Sequence, residues 1–225
     1  MSITRAMILA AGHGSRMAPL TDRCPKPLLL AGKYRLIEYT LYAIARAGIR
    51  ECVINQHHFP ELFVDYLGRG ERYGLHIEYS YESELLGTAG GIIQALDFFE
   101  NQPFLLLSAD IITDYPFEKL IHMPLRGDAH LVMVDNPEQN SRGDFYLAQG
   151  ELCLEGNQRL SYASIGLCHP RLFSGYEKGE RSIGEVLKPA IARRAVSGEH
   201  FQGLRISVDT PERLGFVRHM HQLIE

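Results

Sequence analysis

A glycine-rich loop near the start of the chain is followed closely by two cationic side chains. The loop consists of four small residues and a histidine, namely Ala11, Gly12, His13, Gly14 and Ser15. Arg16 follows directly, and Lys26 comes ten residues later between two prolines. Glycine lets backbone N–H groups approach an anion closely, and the prolines restrict the backbone on either side of Lys26. The stretch therefore predicts a binding site for a triphosphate or a pyrophosphate.

Three other interpretations of this loop compete with an anion site. A Gly-x-Gly sequence after a strand can be only a tight turn. The dinucleotide-binding fingerprint requires a third glycine, and this chain has Met17 at that position. The Walker loop requires Gly-Lys-Ser/Thr after its glycines, and no such sequence follows. The loop therefore matches neither of these two phosphate-binding motifs.

Asp110 is the second candidate for chemistry. It follows Phe104–Ser108, an apolar stretch with the composition of a buried strand. A carboxylate at the end of such a strand suits Mg²⁺, a hard cation that combines one or two protein carboxylates with phosphate oxygens. The same residue could instead be a helix N-cap or a turn aspartate. Because a phosphate-binding loop is predicted in the same half of the chain, we favour the metal role.

The segments that must position these residues alternate between strand-like and helix-like patterns. Repeated βα units with apolar strands predict a parallel sheet with helices on both faces. Ligands bind at the carboxyl ends of such strands, so Gly12, Gly14, Glu82 and Asp110 are expected on one rim. The predicted strands are Ala6–Ala10, Glu51–Asn55, His76–Ser80 and Phe104–Ser108, and the predicted helices are Ile37–Ala47, Glu61–Leu67 and Thr88–Phe99.

The second half of the chain is richer in strand-like segments, with a hairpin turn predicted at Gln149-Gly150. The predicted strands are Ala129–Val134, Asp144–Ala148, Glu151–Leu154, Ala163–Cys168 and Arg205–Val208, and the predicted helices are Ile183–Arg194 and Pro211–Ile224. No repeat or linker interrupts the chain, so residues 1–225 are expected to form a single domain. We predict an α/β fold with a mostly parallel, Rossmann-like sheet flanked by helices and with a β-rich second half.

Composition excludes several other classes of protein. The 225 residues are 45% hydrophobic and 22% charged, which is ordinary for a globular protein. A net charge of −4 argues against nucleic-acid binding. No apolar run approaches the ~18 residues that a membrane span requires, and we expect no signal peptide. The four cysteines show no C-x-x-C spacing, so a disulfide framework or a zinc site is not expected.

The segment Ala6–Leu28, taken as a whole, resembles the signature of the sugar-1-phosphate nucleotidyltransferases. The family pattern is G-x-G-S/T-R-x-x-P-L-T followed by P-K-P, and this chain carries it as GHGSR, PLT and PKP. The recurring L-G-T-A/G-G element of the family matches LGTAGG at Leu86–Gly91. Further matching segments, among them LIEY, DYPF, RGDF and SGEH, extend the resemblance over nearly the full chain.

The resemblance implies catalytic roles for Arg16 and Lys26, in a nucleotide-binding half (1–115) followed by a sugar-phosphate-binding half (116–225). It implies nucleotide contacts from Ala11, Gly12, His13, Gly14, Ser15, Glu82, Gly87, Thr88 and Ser108, and sugar-phosphate contacts from Gly143 and Asp144. Glu82 stands where relatives contact the base edge, and a carboxylate, which only accepts hydrogen bonds, fits uracil or guanine. Considered alone, Glu82 could be a solvated loop charge and Asp144 part of a simple turn.

The resemblance also implies that Mg²⁺ is held by Asp110 and by a second aspartate in the family pattern W-x-D-x-G-T. Aligned on Thr210, this chain has Ser207 at the aspartate position and Asp209 at the glycine position. Because residues 207 and 209 share a strand face, we expect Asp209 to reach the ion. The alternative leaves the ion with one protein carboxylate. This chain departs from the family pattern at three further positions. It has Ser108 where asparagine is frequent, and Ala109 and Ser164 where glycine is usual.

The activity implied by the resemblance is transfer of a nucleotidyl group from a nucleoside triphosphate to a sugar 1-phosphate, with Mg²⁺ as cofactor and pyrophosphate as second product. UTP and N-acetylmuramate 1-phosphate are the favoured substrates, and GTP with mannose 1-phosphate is the alternative. Because of Ser207, a nucleotide- or sugar-binding relative with impaired turnover is a second hypothesis, and an interaction subunit is a third. We expect a cytoplasmic monomer or weak homodimer that binds neither nucleic acid nor membranes.

Overall fold

The computed structural model describes residues 3–224 and contains a large central sheet flanked by helices. Its strands are β1 (Arg5–Leu9), β2 (Leu30–Ala31), β3 (Tyr34–Arg35), β4 (Glu51–Gln56), β5 (His76–Tyr81), β6 (Phe104–Ser108), β7 (Ile111–Thr113), β8 (Ala129–Val134), β9 (Phe145–Ala148), β10 (Glu151–Cys153), β11 (Arg159–Cys168), β12 (Val196–His200) and β13 (Arg205–Ser207). Its α-helices are α1 (Leu36–Ala47), α2 (Pro60–Leu67), α3 (Gly87–Gln94), α4 (Phe117–His122), α5 (Ile183–Ala192) and α6 (Pro211–Ile224).

Within residues 3–224, nine strands form the central sheet in the order β5-β4-β1-β6-β11-β8-β12-β10-β9. The first four are mutually parallel, and their ends are level, since Leu9 lies opposite both Asn55 and Ser108. Beyond β6 the sheet is mixed, because β11 runs antiparallel to β6 and β8 while β12 is parallel to β8. The predicted α/β fold is confirmed, with most of its parallel pairing in the first half.

Both faces of β1 and β6, the central parallel strands, are buried. Met7 and Ile8 point to opposite faces, because side chains alternate along a strand, and both are 0% exposed. Ile8 packs in the same apolar cluster as Ile37 of α1, and Met7 packs in the cluster that contains Ile92 of α3. This burial explains why these strands are continuous apolar runs rather than alternating sequences.

One predicted helix is shorter in the structure. The sequence pattern predicts Thr88–Phe99, whereas α3 ends at Gln94 and a separate 3-10 turn covers Leu96–Phe99. The turn directs Phe99 into the core, where its ring stacks on that of Phe104 with the centroids 3.8 Å apart. Packing of the two aromatic rings therefore takes precedence over continuing the helix.

β12 has no sequence pattern that predicts a strand. It contains Ser197, Gly198 and Glu199, so apolar alternation is missing, yet it pairs with β8 and β10 inside the sheet. Glu199 accepts hydrogen bonds from Tyr115 and Lys119. Tertiary hydrogen bonds thus stabilise a polar segment that local propensity would leave as a loop.

A separate two-stranded sheet carries the C-terminal segment to the end of β6. β13 pairs antiparallel with β7, with Ser207 opposite Ile111. The backbone N–H of Val208 donates to the carbonyl of Asp110 over 2.9 Å. The segment expected to complete a metal site therefore lies at the same end of the central sheet as Asp110.

All four cysteines are free thiols, and Cys52 and Cys168 are buried. In the part of the chain that the structure describes, no helix has both the length and the apolar character required to cross a membrane.

Candidate active site

A cavity of about 300 Å³ lies at the carboxyl ends of the parallel strands. Asn55 lines it from the end of β4, Glu82 from the residue after β5, and Ser108 from the end of β6. Gly87 and Thr88 line it from the first turn of α3. Open α/β sheets bind their ligands in crevices at this end of the strands, so the cavity is the candidate active site.

Lys26 and Asp110 form an ion pair in the cavity wall, and their side chains are only 17% and 11% exposed. The hydroxyl of Ser108 donates to the other oxygen of Asp110. Burial alone would raise the pKa of Asp110, but the attraction of Lys26 and the hydrogen bonds from Lys26 and Ser108 hold it below the ordinary value. Asp110 is therefore a carboxylate at neutral pH, with a cation beside it.

The glycine-rich loop packs against the stem of Lys26. Gly14 has φ +65°, in the left-handed region that favours glycine. A Cβ there would lie 3.0 Å from Cβ of Lys26 and 3.1 Å from Cγ2 of Thr21. A Cβ at Gly12, in contrast, would meet nothing within 4 Å. Gly14 is thus required for the packing of the loop, whereas Gly12 leaves open space in the cavity wall.

The carboxylate of Glu82 is buried and joins three segments. Nδ2 of Asn55 donates to Oε1 of Glu82 over 2.7 Å, and the backbone N–H of Leu86 donates to Oε2 over 3.0 Å. Oδ1 of Asn55 accepts from the backbone N–H of Ala10 over 2.8 Å. A Cβ at Gly91 would lie 2.5 Å from Oε1 of Glu82. The two side chains therefore hold β1, β4 and the start of α3 in a fixed arrangement around the cavity.

Asp209 lies between two arginines. Oδ2 is 2.8 Å from Nη1 of Arg16, and Oδ1 is 2.7 Å from Nη1 of Arg213. The side chain of Asp209 is 10% exposed, whereas that of Arg16 is 66% exposed. Asp209 therefore orients Arg16 at the edge of the loop, and each of its oxygens is already paired with a cation.

Two comparisons of the sequence with known proteins identify its family. The chain matches the nucleotidyl transferase family over residues 5–143. It is also 40% identical over 220 residues to N-acetylmuramate alpha-1-phosphate uridylyltransferase of Neisseria meningitidis, a match that covers 93% of this chain and 95% of the relative. The chain belongs to the nucleotidyl transferase family. It is therefore an enzyme of the nucleotidyltransferase type, as its sequence signatures predict.

Other relatives of this transferase share a part of the chain or the fold alone. The chain is 37% identical over 142 residues to mannose-1-phosphate guanyltransferase of Saccharomyces cerevisiae. This match covers 60% of the chain but only 39% of the relative. The inositol-1-phosphate CTP transferase of T. maritima superimposes with a TM-score of 0.83 at 17% identity, over 100% of this chain and 97% of that one. A UDP-glucose pyrophosphorylase complexed with UDP-glucose superimposes with a TM-score of 0.82 at 17% identity, over 99% of this chain and 100% of that one. These structures support the fold.

The transferase brings many of the predicted site residues together, but not all of them. Those that line the cavity are Ala11, Gly12, Lys26, Glu82, Gly87, Thr88, Ser108 and Asp110. Those that lie outside its lining are His13, Gly14, Ser15, Arg16, Gly143, Asp144 and Asp209. His13 is exposed, with its ring edge-on to those of His57 and His58 at centroid distances of 5.2 and 5.3 Å. The individual roles of all these residues stay predictions.

Gly143 and Asp144 lie outside the cavity but beside β11, the strand that contains Tyr162. Oδ2 of Asp144 accepts from the backbone N–H of Tyr162 over 2.8 Å, and Oδ1 accepts from Nδ2 of Asn140 over 3.0 Å. Gly143 has φ +65°, and a Cβ there would lie 2.6 Å from Oδ1 of Asn136. The segment is thus packed tightly beside Tyr162, a residue that does line the cavity.

Sequence reasoning misses two polar residues of the cavity wall, Asn55 and Tyr162. Asn55 is a polar residue at the end of an apolar strand, the same signal that identifies Asp110, and it could have been found in this way. Tyr162 carries no comparable signal, because its position depends on an irregularity of β11. The register with β8 shifts between Tyr162 and Gly166, and a shift of this kind is set by the sheet rather than by the local sequence.

Proposed function

We propose that this transferase moves a uridylyl group from UTP to N-acetylmuramate 1-phosphate, giving the UDP-sugar and pyrophosphate in an Mg²⁺-dependent reaction. The observation that carries the proposal is the 40% identity to the N. meningitidis uridylyltransferase, which extends over 93% of this chain and 95% of the relative. N-Acetylmuramate is a peptidoglycan sugar, so the reaction would return it to cell-wall precursors. We propose the cytoplasm as the compartment.

The chemistry requires positioning and charge rather than a protein nucleophile. A sugar phosphate is already ionised at neutral pH, so one of its oxygens can attack the α-phosphorus in line. The new bond joins this oxygen to the α-phosphorus, and the bond to the β-phosphate oxygen breaks, so that pyrophosphate leaves with the electron pair. Lys26 would neutralise charge around the α-phosphorus, and Arg16 with the loop N–H groups would hold the β- and γ-phosphates.

The residues present fit Mg²⁺ with a single protein carboxylate. Asp110 provides an ionised oxygen in the cavity wall, with the hydroxyl of Ser108 beside it. Each oxygen of Asp209, the second predicted ligand, is paired with a cation, Arg16 or Arg213, whereas Asp110 has one oxygen on Lys26 and the other on the neutral hydroxyl of Ser108. Mg²⁺ commonly combines one or two carboxylates with phosphate oxygens and water, so Asp110 is sufficient. When bound, the ion would supply positive charge to the phosphate oxygens.

Two other functions have specific support. Transfer of a guanylyl group to mannose 1-phosphate is favoured by the 37% identity to the S. cerevisiae guanyltransferase, although this chain spans only 39% of that relative. A binding protein with impaired turnover is favoured by the pairing of Asp209 with arginines and by Ser207 at the usual aspartate position.

Pyrophosphate release tests these three functions in one experiment. UTP, GTP, CTP and dTTP would each be combined with N-acetylmuramate, N-acetylglucosamine, mannose and glucose 1-phosphates, with Mg²⁺ or with EDTA. We expect UTP with N-acetylmuramate 1-phosphate to give the highest rate, Asp110→Ala to abolish it, and Asp65→Ala, a change at an exposed position of α2, to leave it unchanged. A highest rate with GTP and mannose 1-phosphate would select the guanylyltransferase. Nucleotide binding without turnover would select the impaired relative.

A further inference from the structure

β11 contains an irregularity that turns side chains towards the cavity. Its pairing register with β8 shifts between Tyr162 and Gly166, and Ser164 within this bulge has φ +61°. Residues other than glycine rarely adopt this left-handed conformation. Tyr162 and Ser164 both line the cavity. Bulges of this kind often redirect side chains beside active sites.

The hydroxyl of Tyr162 is buried without a hydrogen-bond partner among the described residues. Buried tyrosine hydroxyls are normally hydrogen-bonded, and an exception requires an explanation. Burial raises the pKa of Tyr162 well above its usual value. The hydroxyl therefore remains a protonated donor, on a residue that lines the cavity.

Arg205 approaches the same bulge from β13. Its Nε donates to the carbonyl of Ala163 over 3.2 Å. Over residues 3–224, no carboxylate lies within ion-pair distance of its guanidinium, and its two Nη groups have no hydrogen-bond acceptor. The side chain is partly buried, so part of its hydration is lost without an anion to replace it. Burial lowers the pKa of Arg205, and the attraction of Asp110 opposes that effect.

The bulge lines one cavity, and Arg205 beside it lines another. Tyr162 and Ser164 line the cavity of about 300 Å³ that holds Lys26 and Asp110. Arg205 lines a second cavity of about 170 Å³. Tyr162 precedes Ala163, whose carbonyl accepts from Arg205, so unused donors of two kinds, a phenol O–H and guanidinium N–H groups, belong to residues beside the same part of the bulge.

We propose that the hydroxyl of Tyr162 and the guanidinium of Arg205 form a subsite that binds an oxyanion of the acceptor sugar. The subsite rests on the proposed function, since it receives the sugar phosphate of that reaction. A guanidinium and a phenol donate to the same kind of oxygen in a phosphate and in a carboxylate. N-Acetylmuramate 1-phosphate carries both groups, so the source of the oxyanion is either its 1-phosphate or its lactyl carboxylate.

Acceptor binding without turnover tests the subsite directly. Calorimetric titrations would use N-acetylmuramate 1-phosphate, N-acetylglucosamine 1-phosphate and unphosphorylated N-acetylmuramate, with and without a nonhydrolysable UTP analogue. Arg205→Met removes the charge, and Tyr162→Phe removes only the hydroxyl. Arg218→Met is the matched control, because Arg218 also donates Nε to a backbone carbonyl, that of Leu30 over 2.9 Å, but its side chain is exposed.

We expect Arg205→Met to weaken acceptor binding on the order of 10- to 100-fold, and Tyr162→Phe on the order of tenfold, with binding of the UTP analogue unchanged. Arg218→Met should bind as the wild type does. Loss for both 1-phosphates would identify the phosphate as the bound group, and loss confined to the two muramate compounds would identify the carboxylate. Wild-type affinity of both variants for all three compounds would overturn the subsite.

Tyr162→Phe keeps the test decisive if Arg205→Met does not fold. The hydroxyl oxygen that Tyr162→Phe removes has no hydrogen-bond partner, so the thermal midpoint of this variant should not fall below that of the wild type. The two proposals can fail separately. Acceptor binding that depends on Arg205 in an enzyme without turnover would refute the transferase proposal alone, and turnover with Arg205-independent binding would refute the subsite alone. A wild type that binds none of the three compounds would refute the subsite.

Discussion

Replacing Lys26 with methionine keeps most of the side-chain volume and removes the cation beside Asp110. Both side chains of the pair are largely buried, with exposures of 17% and 11%. Breaking a buried pair by removing one partner typically costs about 3–5 kcal/mol, because the remaining charge is left without compensation. Since neither side chain is fully buried, we expect Lys26→Met to lower the free energy of unfolding by about 3 kcal/mol at pH 7.

The pH dependence of this loss is the sharper prediction. In the wild type the pKa of Asp110 is held below its ordinary value of 3.8. Asp110 therefore contributes stability above that pH and loses it as the pH falls through the lowered pKa. In the Lys26→Met variant, burial would raise the pKa of Asp110 instead. Asp110 would then contribute to the stability of the variant at low pH, and this contribution would be lost as the pH rises. The difference in stability between variant and wild type should thus be largest at pH 7 and smallest near pH 4.

Urea unfolding at several pH values between 4 and 7 measures this difference. Lys188→Met is the control, because Lys188 is exposed on α5, and it should change stability by less than about 0.5 kcal/mol at every pH. Pyrophosphate release by Lys26→Met should also fall on the order of 10²-fold. A loss below about 1 kcal/mol at pH 7 that stays constant down to pH 4 would refute the coupling of Lys26 to Asp110.

Three further changes test other parts of the site and the sheet. Gly91→Ala should lower the free energy of unfolding in urea by about 1–3 kcal/mol, because its Cβ would lie 2.5 Å from a buried carboxylate oxygen; wild-type stability would contradict that close packing. Glu199→Gln should be about 2 kcal/mol less stable at pH 7, because His130, whose Nε2 lies 3.9 Å from Oε1, and the hydrogen bonds from Lys119 and Tyr115 lower the pKa of Glu199 to about 2. The difference should shrink between pH 4.5 and 2, and a pH-independent difference would exclude this cause. Asp209→Asn should reduce kcat/KM about tenfold, because it releases Arg16. The Mg²⁺ concentration that gives the half-maximal rate should stay unchanged, and an increase in it would show that Asp209 binds the ion.

The parts of the site that depend on local sequence are predictable. The glycine loop follows an apolar strand, and Asp110 follows another, so each position is defined within about ten residues of chain. The parallel arrangement of those strands then brings Gly12 and Asp110 to one rim. No long-range information beyond the βα repeat is needed for this step.

The placement of Asp209, whose metal role stays a prediction, shows what one strand cannot predict. Side-chain alternation would place residues 207 and 209 on one face, but β13 ends at Ser207, so the rule does not extend to Asp209. Asp209 pairs with Arg213 on the next helix and with Arg16 in the loop, which is far away along the chain. Such pairing depends on tertiary packing, which the sequence pattern of one strand does not contain.

The same limit applies to the bulge in β11. Ser164 stands where the family resemblance predicts glycine, and its φ of +61° explains why glycine would suit this position. The sequence indicates the substitution but not its consequence, namely the unpaired hydroxyl of Tyr162 and the approach of Arg205. Both depend on the register between β11 and β8.

The most direct test of the central claim is ³¹P NMR of the wild-type transferase mixed with UTP, N-acetylmuramate 1-phosphate and Mg²⁺. Transfer to the sugar phosphate predicts the two coupled signals of a UDP-sugar, growing in step with inorganic pyrophosphate while the signal of the sugar 1-phosphate declines. Release of UMP and pyrophosphate with the sugar 1-phosphate unchanged, or no change in any signal, would contradict the claim.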